Sequence, residues 1–232
     1  PITDAFHLIH GPIGCAAYTW DLRGSLSSGS ELFRNSFSTD LSETDVIFGG
    51  EKKLRAAVDE IVNKFHPKVI FIYATCIVGV IGDDVDAVCK MAEEKYKIRV
   101  IPVKSPGFSG NKSTGYRAAC NAILKLIGNK KSKKKLSGIN YLGDFNLAGE
   151  VWVVENYLKR IGIDIVSKLT GDGKVDEIVK APEAKLNIVQ CAGSMGYLAK
   201  KMEELYDIPF IKTSFVGLED TENSLLQVAH LV

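Results

Sequence analysis

Lys68-Val-Ile-Phe-Ile-Tyr-Ala74, then Asp84-Val-Asp-Ala-Val-Cys-Lys-Met-Ala-Glu-Glu-Lys-Tyr96, then Ile98-Arg-Val-Ile-Pro-Val103 is the stretch whose reading decides the fold. The first and third segments are short runs rich in β-branched residues, the composition of buried strands. Between them Val85, Val88, Cys89 and Ala92 share one helical face. Strand, amphipathic helix and strand in that order form a crossover unit of a parallel sheet. Outward from it the alternation continues, with strands expected at 139–142, 163–166, 186–190 and 209–211. Helical periodicity falls at 51–65, 114–127, 149–161, 174–180, 195–206 and 220–230. The fold class is α/β, with two Rossmann-like parallel-sheet units. Five of the six residues from Lys130 to Lys135 are lysine and carry no apolar periodicity, so 129–137 reads as a solvated linker. The expected organisation is a first unit over 1–128 and a second over 138–232.

Composition removes several classes of function. With 46% apolar and 25% charged residues in 232, the chain can bury a real core. Its 29 Lys+Arg against 28 Asp+Glu leave a net charge of +1, no field that would draw it to nucleic acid. No apolar run approaches the roughly 20 residues of a membrane span. A soluble, cytoplasmic protein with neither nucleic acid nor membrane as partner is expected. The five cysteines are odd in number and widely spaced, a poor match to a secreted disulfide framework.

Three of those cysteines stand where a ligand could meet them. Cys15 closes His10-Gly-Pro-Ile-Gly-Cys15, ahead of any element the periodicity reveals, in a glycine-framed loop that would let backbone approach a bulky group. Cys76 ends the strand 68–74, and Asp83 or Asp84 can cap the helix that follows. Cys191 ends the strand 186–190, before a Gly-Ser loop and a helix N-terminus that suits an anion. In open parallel sheets ligands bind beyond the carboxyl ends of strands. Each of the three could equally be a core thiol. Cys89 and Cys120 lie on apolar helix faces and read as core. Thiols this far apart, without CxxC or Cys/His zinc spacing, do not form a structural zinc pattern, whereas iron-sulfur clusters can be held by distant thiolates that converge. His7 and His10 read as packing residues. Gly107-Phe-Ser-Gly110-Asn-Lys112 departs from the phosphate-loop pattern because Asn111 separates glycine from lysine.

Along essentially its whole length the chain resembles nitrogenase component 1 and its relatives. The resemblance lies in six ordered blocks: His10-Gly-Pro-Ile-Gly-Cys15, Asp45-Val-Ile-Phe-Gly-Gly-Glu-Lys-Lys-Leu54, Cys76-Ile-Val-Gly-Val-Ile-Gly-Asp-Asp84, Gly143-Asp-Phe-Asn146, Thr170-Gly-Asp-Gly173 and Met202-Glu-Glu-Leu-Tyr-Asp-Ile-Pro209. Ala17-Tyr-Thr-Trp-Asp-Leu-Arg-Gly24, followed by Ser25-Leu-Ser-Ser-Gly-Ser30, looks most like the branch that builds the iron-molybdenum cofactor. The resemblance implies that Cys15 and Cys76 help hold a [4Fe-4S] cluster shared with a partner subunit, further ligands lying upstream and on the partner. It also implies that Cys191 anchors an iron-sulfur precursor of the iron-molybdenum cofactor, with Arg23 facing that pocket and Ser194 beside it. On this expectation the chain lacks the family's N-terminal segment and third domain.

Departures from the catalytic alpha subunit matter as much. Where it carries paired histidines this chain reads Gly115-Tyr116-Arg117, the arginine of its Gly-Phe-Arg-Gly is Ser109, and the aromatic and arginine after its cofactor cysteine are Ala192 and Gly193. The resemblance therefore implies an assembly scaffold for nitrogen fixation that holds the precursor while it matures and passes it to apo-nitrogenase. Its implied partners are a NifN-like beta-type subunit in an α2β2 heterotetramer and, transiently, a precursor donor, the reductase (iron protein) and apo-nitrogenase. The alternatives are the alpha subunit of a molybdenum or alternative nitrogenase, and a metal-free α/β ligand-binding module.

Overall fold

The computed structural model describes residues 2–21, 34–129, 131–132 and 136–232. They divide into two compact units, one within 4–122 and the other formed by Ile123–Val232 with the first residues of the chain. Arg23 lies outside the described residues, as do Lys130 and 133–135 of the lysine-rich stretch.

In the first unit β1 (Phe6–His10), β2 (Ser36–Ser38), β3 (Val69–Ala74) and β4 (Arg99–Lys104) form a parallel sheet in the order β2-β1-β3-β4. Every residue of β1 is buried, and all of β3 but Tyr73, the continuous apolar pattern of a sheet covered on both faces. Helices α3 (Glu51–Phe65) and α5 (Val85–Tyr96) lay Leu54, Val58, Ile61, Val88 and Cys89 onto Leu8, Ile70, Ile72 and Val100. Asp84 caps α5 by accepting the Ala87 amide at 2.9 Å.

The second unit repeats the plan. Strands β5 (Gly138–Asp144), β6 (Asp164–Thr170), β7 (Leu186–Val189) and β8 (Phe210–Lys212) are parallel in the order β6-β5-β7-β8. Helix α6 (Lys112–Ile127) precedes β5, α7 (Glu150–Arg160), α8 (Val175–Val179) and α9 (Ala192–Tyr206) run between the strands, and α10 (Leu218–Leu231) follows β8. A buried polar ladder fixes register across three strands: Ser167 Oγ donates to Asn140 Oδ1 at 2.8 Å, and Asn140 Nδ2 donates to Asn187 Oδ1 at 2.8 Å.

Two strands and three helices of the first unit go beyond the periodicity reading. These are β1, β2, α1 (Ile13–Asp21), α2 (Glu43–Phe48) and α4 (Cys76–Ile81). Cys15 is accordingly corrected from an irregular loop to the third residue of α1, directly after β1. The two histidines of β1 disguise it as polar, yet both are buried and satisfied. His7 Nδ1 pairs with the Tyr73 hydroxyl at 2.9 Å, and its ring stacks on Phe71.

Each sheet therefore runs from its first strand outward to the second, then returns past the first to the third. The direction in which strands are added across the sheet reverses between β1 and β3 in one unit and between β5 and β7 in the other. That reversal opens a crevice at the carboxyl ends of the two central strands, where doubly wound sheets take their ligands.

Candidate functional site

The cysteines singled out by sequence lie at these two crevices. In the first, His10 and Ala74 are register partners at the ends of β1 and β3. From there Gly11 and Pro12 lead into α1 and Cys15, while Thr75 leads into α4 and Cys76. Gly11 has no room for a side chain, since a Cβ there would stand 2.4 Å from Thr75 Oγ1. The two turns are thus packed backbone against side chain. Asp40 accepts the Ile13 amide at 3.2 Å and starts α1. Both Cys15 and Cys76 are exposed. The Gly107 amide donates to Cys76 Sγ at 3.1 Å, and a Cβ on Gly107 would stand 3.2 Å from that sulfur. Such N–H···S bonds stabilise a thiolate and tune any metal it binds.

Beneath this crevice lies a buried His10–Asp83 pair, Nε2 to Oδ2 at 3.0 Å. Burial lowers the His10 pKa from its ordinary 6.5, partly offset by the hydrogen bond and charge of Asp83. A histidine held neutral in the fold takes its proton more readily when unfolded. Its contribution to stability is therefore full above 6.5 and is lost as pH falls below that value toward the folded pKa. Urea unfolding of the full-length protein between about pH 7.5 and about pH 5.5 should show this acid loss, and His10→Gln should remove it.

In the second crevice Cys191 occupies the position just before α9, without a side-chain cap bond, and is partly exposed. The Gln190 amide donates to the Leu142 carbonyl at 2.8 Å, and Gly143 at the end of β5 lies against Cys191. Gly143 has φ +88°, and a Cβ there would stand 2.8 Å from the Cys191 nitrogen and 3.1 Å from its Cβ. Gly143→Ala should therefore cost about 1–3 kcal/mol in thermal or urea unfolding and displace Cys191. Ser194 is buried, and its hydroxyl donates to the Cys191 carbonyl at 3.2 Å, so it braces the turn.

Gly143 and Gln190, which flank Cys191, line a cavity of about 660 Å³ whose walls are drawn from the ends of β5 and β7 and from α7 and the start of α10; Cys191 itself is not part of that lining. Phe145, Leu147, Val153, Tyr157, Phe215 and Leu218 give it a mainly apolar lining, with Gln190 at the Cys191 edge. The loop Gly143–Asn146 that forms one wall is pinned from several sides. Tyr141 Oη donates to Asp144 Oδ2 at 2.8 Å, the Asn146 amide to Asp144 Oδ1 at 2.8 Å, and the Gly171 amide to the Asp144 carbonyl at 2.8 Å. Asn146 Nδ2 and Trp152 Nε1 both donate to Asp172 Oδ2, at 3.0 and 2.5 Å. Burial, reinforced by the Asp144 charge, raises the Tyr141 pKa far above ordinary values and keeps the phenol a donor. Periodicity and spacing did not point to these wall residues. Their signal was the two blocks Gly143-Asp-Phe-Asn146 and Thr170-Gly-Asp-Gly173, which strand patterning leaves unexplained.

Two exposed thiols at one crevice, and a partly exposed one at the other that follows the cavity residue Gln190, are of the kind that can ligate iron-sulfur clusters. Among the described residues no group of three or more His, Cys, Asp and Glu could enclose a metal ion. Several large apolar side chains are exposed on segments that follow the carboxyl ends of the same sheet: Ile13, Ile47, Phe48, Val80 and Phe108, with Phe48 82% and Val80 71% exposed. None of the described helices is long and apolar enough to cross a membrane.

The family model for nitrogenase component 1 type oxidoreductases matches residues 1–232. The nitrogenase iron-molybdenum cofactor biosynthesis protein NifE of Clostridium pasteurianum is 73% identical over 232 residues, 100% of this chain and 51% of that protein. The same-named protein of Methanosarcina barkeri is 53% identical over 240 residues, 99% of this chain and 52% of that protein. Among solved structures, nitrogenase Cp1 at pH 6.5 superimposes with a TM-score of 0.92 at 39% identity, covering 99% of this chain and 46% of that one. The chain thus spans about half the length of the curated relatives it matches.

Proposed function

This chain belongs to the family of nitrogenase component 1 type oxidoreductases, and we propose that within it the chain serves as a cofactor-assembly scaffold in the cytoplasm. The cargo is an iron-sulfur precursor of the iron-molybdenum cofactor, held at the second crevice while it gains molybdenum and homocitrate, then passed to apo-nitrogenase. Cys191 supplies the anchoring thiolate, and the pinned Gly143–Asn146 loop keeps one wall in place. At the first crevice Cys15 and Cys76 supply two thiolates to a [4Fe-4S] cluster shared with a NifN-like beta-type subunit in an α2β2 assembly. The exposed apolar residues around that crevice are suited to such a subunit. The shared cluster would supply electron transfer and a covalent tie between subunits. Arg23, by resemblance, would add a positive charge facing the cargo. A precursor donor and the reductase are the proposed transient partners.

The observation that carries a scaffold rather than a reducing enzyme is the open ground after Cys191. Ala192 and Gly193 replace an aromatic and an arginine, and a Cβ built on Gly193 meets nothing within 4 Å. Cargo can enter and leave past small residues that neither stack on it nor fix it by charge. The histidines missing from Gly115-Tyr116-Arg117 point the same way. The similarity of the fold to a solved nitrogenase favours the alpha subunit of a molybdenum or alternative nitrogenase as second reading. Anaerobic co-purification of the full-length chain with its partner, followed by iron, sulfide and substrate-reduction assays, separates the readings. The scaffold requires iron and sulfide without nitrogen reduction. Nitrogen reduction with a nitrogenase beta subunit would establish the enzyme, and a colourless, iron-free complex would establish a metal-free binding module.

A further inference from the structure

One side chain and its own carbonyl hold both ends of the helix that begins at Cys76. At the near end Thr75 donates its amide at 3.2 Å and its hydroxyl at 2.9 Å to the His10 carbonyl. At the far end, just past the Gly82 that closes α4, Asp83 Oδ2 stands 3.0 Å from His10 Nε2. The other ring nitrogen, Nδ1, lies 3.0 Å from Thr39 Oγ1, and that oxygen also accepts the Gly11 amide at 3.0 Å, in the turn that leads into α1 and Cys15. With Nε2–H donated to the carboxylate, the Nδ1 lone pair takes the Thr39 hydroxyl hydrogen. The ring is 0% exposed with both nitrogens engaged, so it is no candidate ligand.

Asp83 is itself immobilised. The Gly50 amide donates to its two oxygens at 3.0 and 3.1 Å. A Cβ on Gly50 would stand 2.6 Å from Asp83 Oδ2 and 3.0 Å from His10 Cε1, so glycine is what lets the three segments close on one another. Helix α4 has six residues, too few to define its own placement. Val78, buried in the core with Ile77 and Ile81 packed against it, fixes the face the helix lays on the sheet, and what grips its ends sets where Cys76 stands relative to the turn into α1.

We propose that His10 is the positioning residue of the Cys15/Cys76 pair, locking the helix that starts at Cys76 to the strand that leads into Cys15. It thereby sets how far apart the two sulfurs stand. The inference rests on Cys15 and Cys76 acting as co-ligands, and it deepens that reading by naming the residue that prepares the pair before any metal arrives.

Thiol bridging in the iron-free, full-length protein tests it. Phenylarsine oxide joins two sulfurs that are close in space. Two As–S bonds form, and the oxygen leaves as water with the two thiol protons. The unmodified protein should take up an arsenical across Cys15 and Cys76, identified as that cross-link by peptide mapping, and it is this Cys15–Cys76 adduct, absent from Cys15→Ser and from Cys76→Ser, that is counted as bridging. His10→Gln can still donate to Asp83 and should bridge within about threefold of the unmodified protein, whereas His10→Leu should bridge at least about tenfold more weakly. That comparison is made at a temperature where circular dichroism shows both variants folded, with each thiol still alkylated singly by iodoacetamide. Asp83→Asn, which weakens the same bond, should lose about threefold and decides the matter should His10→Leu fail to fold. Bridging equal to the unmodified protein in folded His10→Leu, or in Asp83→Asn in its place, would overturn the positioning role alone. Absence of bridging in the unmodified protein would overturn the co-ligand reading and the positioning role together.

Discussion

Cys191→Ala is expected to abolish retention of the precursor while leaving the [4Fe-4S] signal of the shared cluster intact. A thiolate that provides the protein's sulfur to one end of a large cluster has no substitute in a methyl group, because the iron it bound loses its ligand outright. The loss should reach at least about tenfold in precursor iron, as removal of a metal ligand gives no less than removal of the groups that orient one. The fold should survive. Cys191 is partly exposed at a helix start, and the bonds its carbonyl accepts from the Ser194 and Met195 amides and the Ser194 hydroxyl do not involve sulfur. Iron analysis and electron paramagnetic resonance on the full-length complex would check this. Full precursor occupancy in Cys191→Ala, or loss of both clusters without unfolding, would contradict a separate pocket in the second unit.

Cys15→Ala should do the reverse. Iron assigned to the shared cluster should fall by more than half and subunit pairing should weaken, since a cluster bridging two chains contributes its binding energy to their association. Cys76→Ala should act in the same direction, with the Gly107 amide left without its sulfur acceptor. Gel filtration and iron-to-protein ratios are the measurements. Cys89→Ala and Cys120→Ala serve as contrasts. Both residues are buried among helix and sheet side chains, so their truncation should cost about 1–3 kcal/mol of stability with both metal signals preserved.

How far the sequence reached can be followed residue by residue. The helix 51–65 was legible to its ends because Leu54, Val58, Ile61 and Val62 repeat at helical spacing, and the structure places α3 at Glu51–Phe65. Strand β1 was not legible. Phe6-His-Leu-Ile-His10 carries two histidines whose burial is made tolerable only by Tyr73, Thr39 and Asp83, partners between 29 and 73 residues away. No local pattern reports such compensation. Helix α4 was hidden for another reason: Cys76-Ile-Val-Gly-Val-Ile81 is short, β-branched and interrupted by glycine, so propensity favours a strand, and the packing of Ile77, Val78 and Ile81 on the core together with the contacts at its ends overrides it.

The candidate sites were legible in their thiols and not in their surroundings. Cys76 and Cys191 announce themselves by following strand-like runs, and parallel-sheet topology then puts both at carboxyl ends. Cys15 was found through its glycine framing, although the glycines serve a different purpose from the one expected. Gly11 makes room for Thr75, while Gly14 lies inside α1 with nothing near its missing side chain. Asp83 looked like a helix cap beside Asp84. Only the fold shows that Asp84 takes the cap and Asp83 turns inward to His10.

The most direct measurement of the central claim is transfer. Purified anaerobically with its partner and loaded with precursor, molybdenum and homocitrate, the full-length protein is incubated with apo-nitrogenase lacking its cofactor, and substrate reduction is assayed. The account predicts restored reduction from the unmodified complex, none from Cys191→Ala, and no reduction by either complex alone. Reduction by the complex without apo-nitrogenase, or equal restoration by Cys191→Ala, would contradict it.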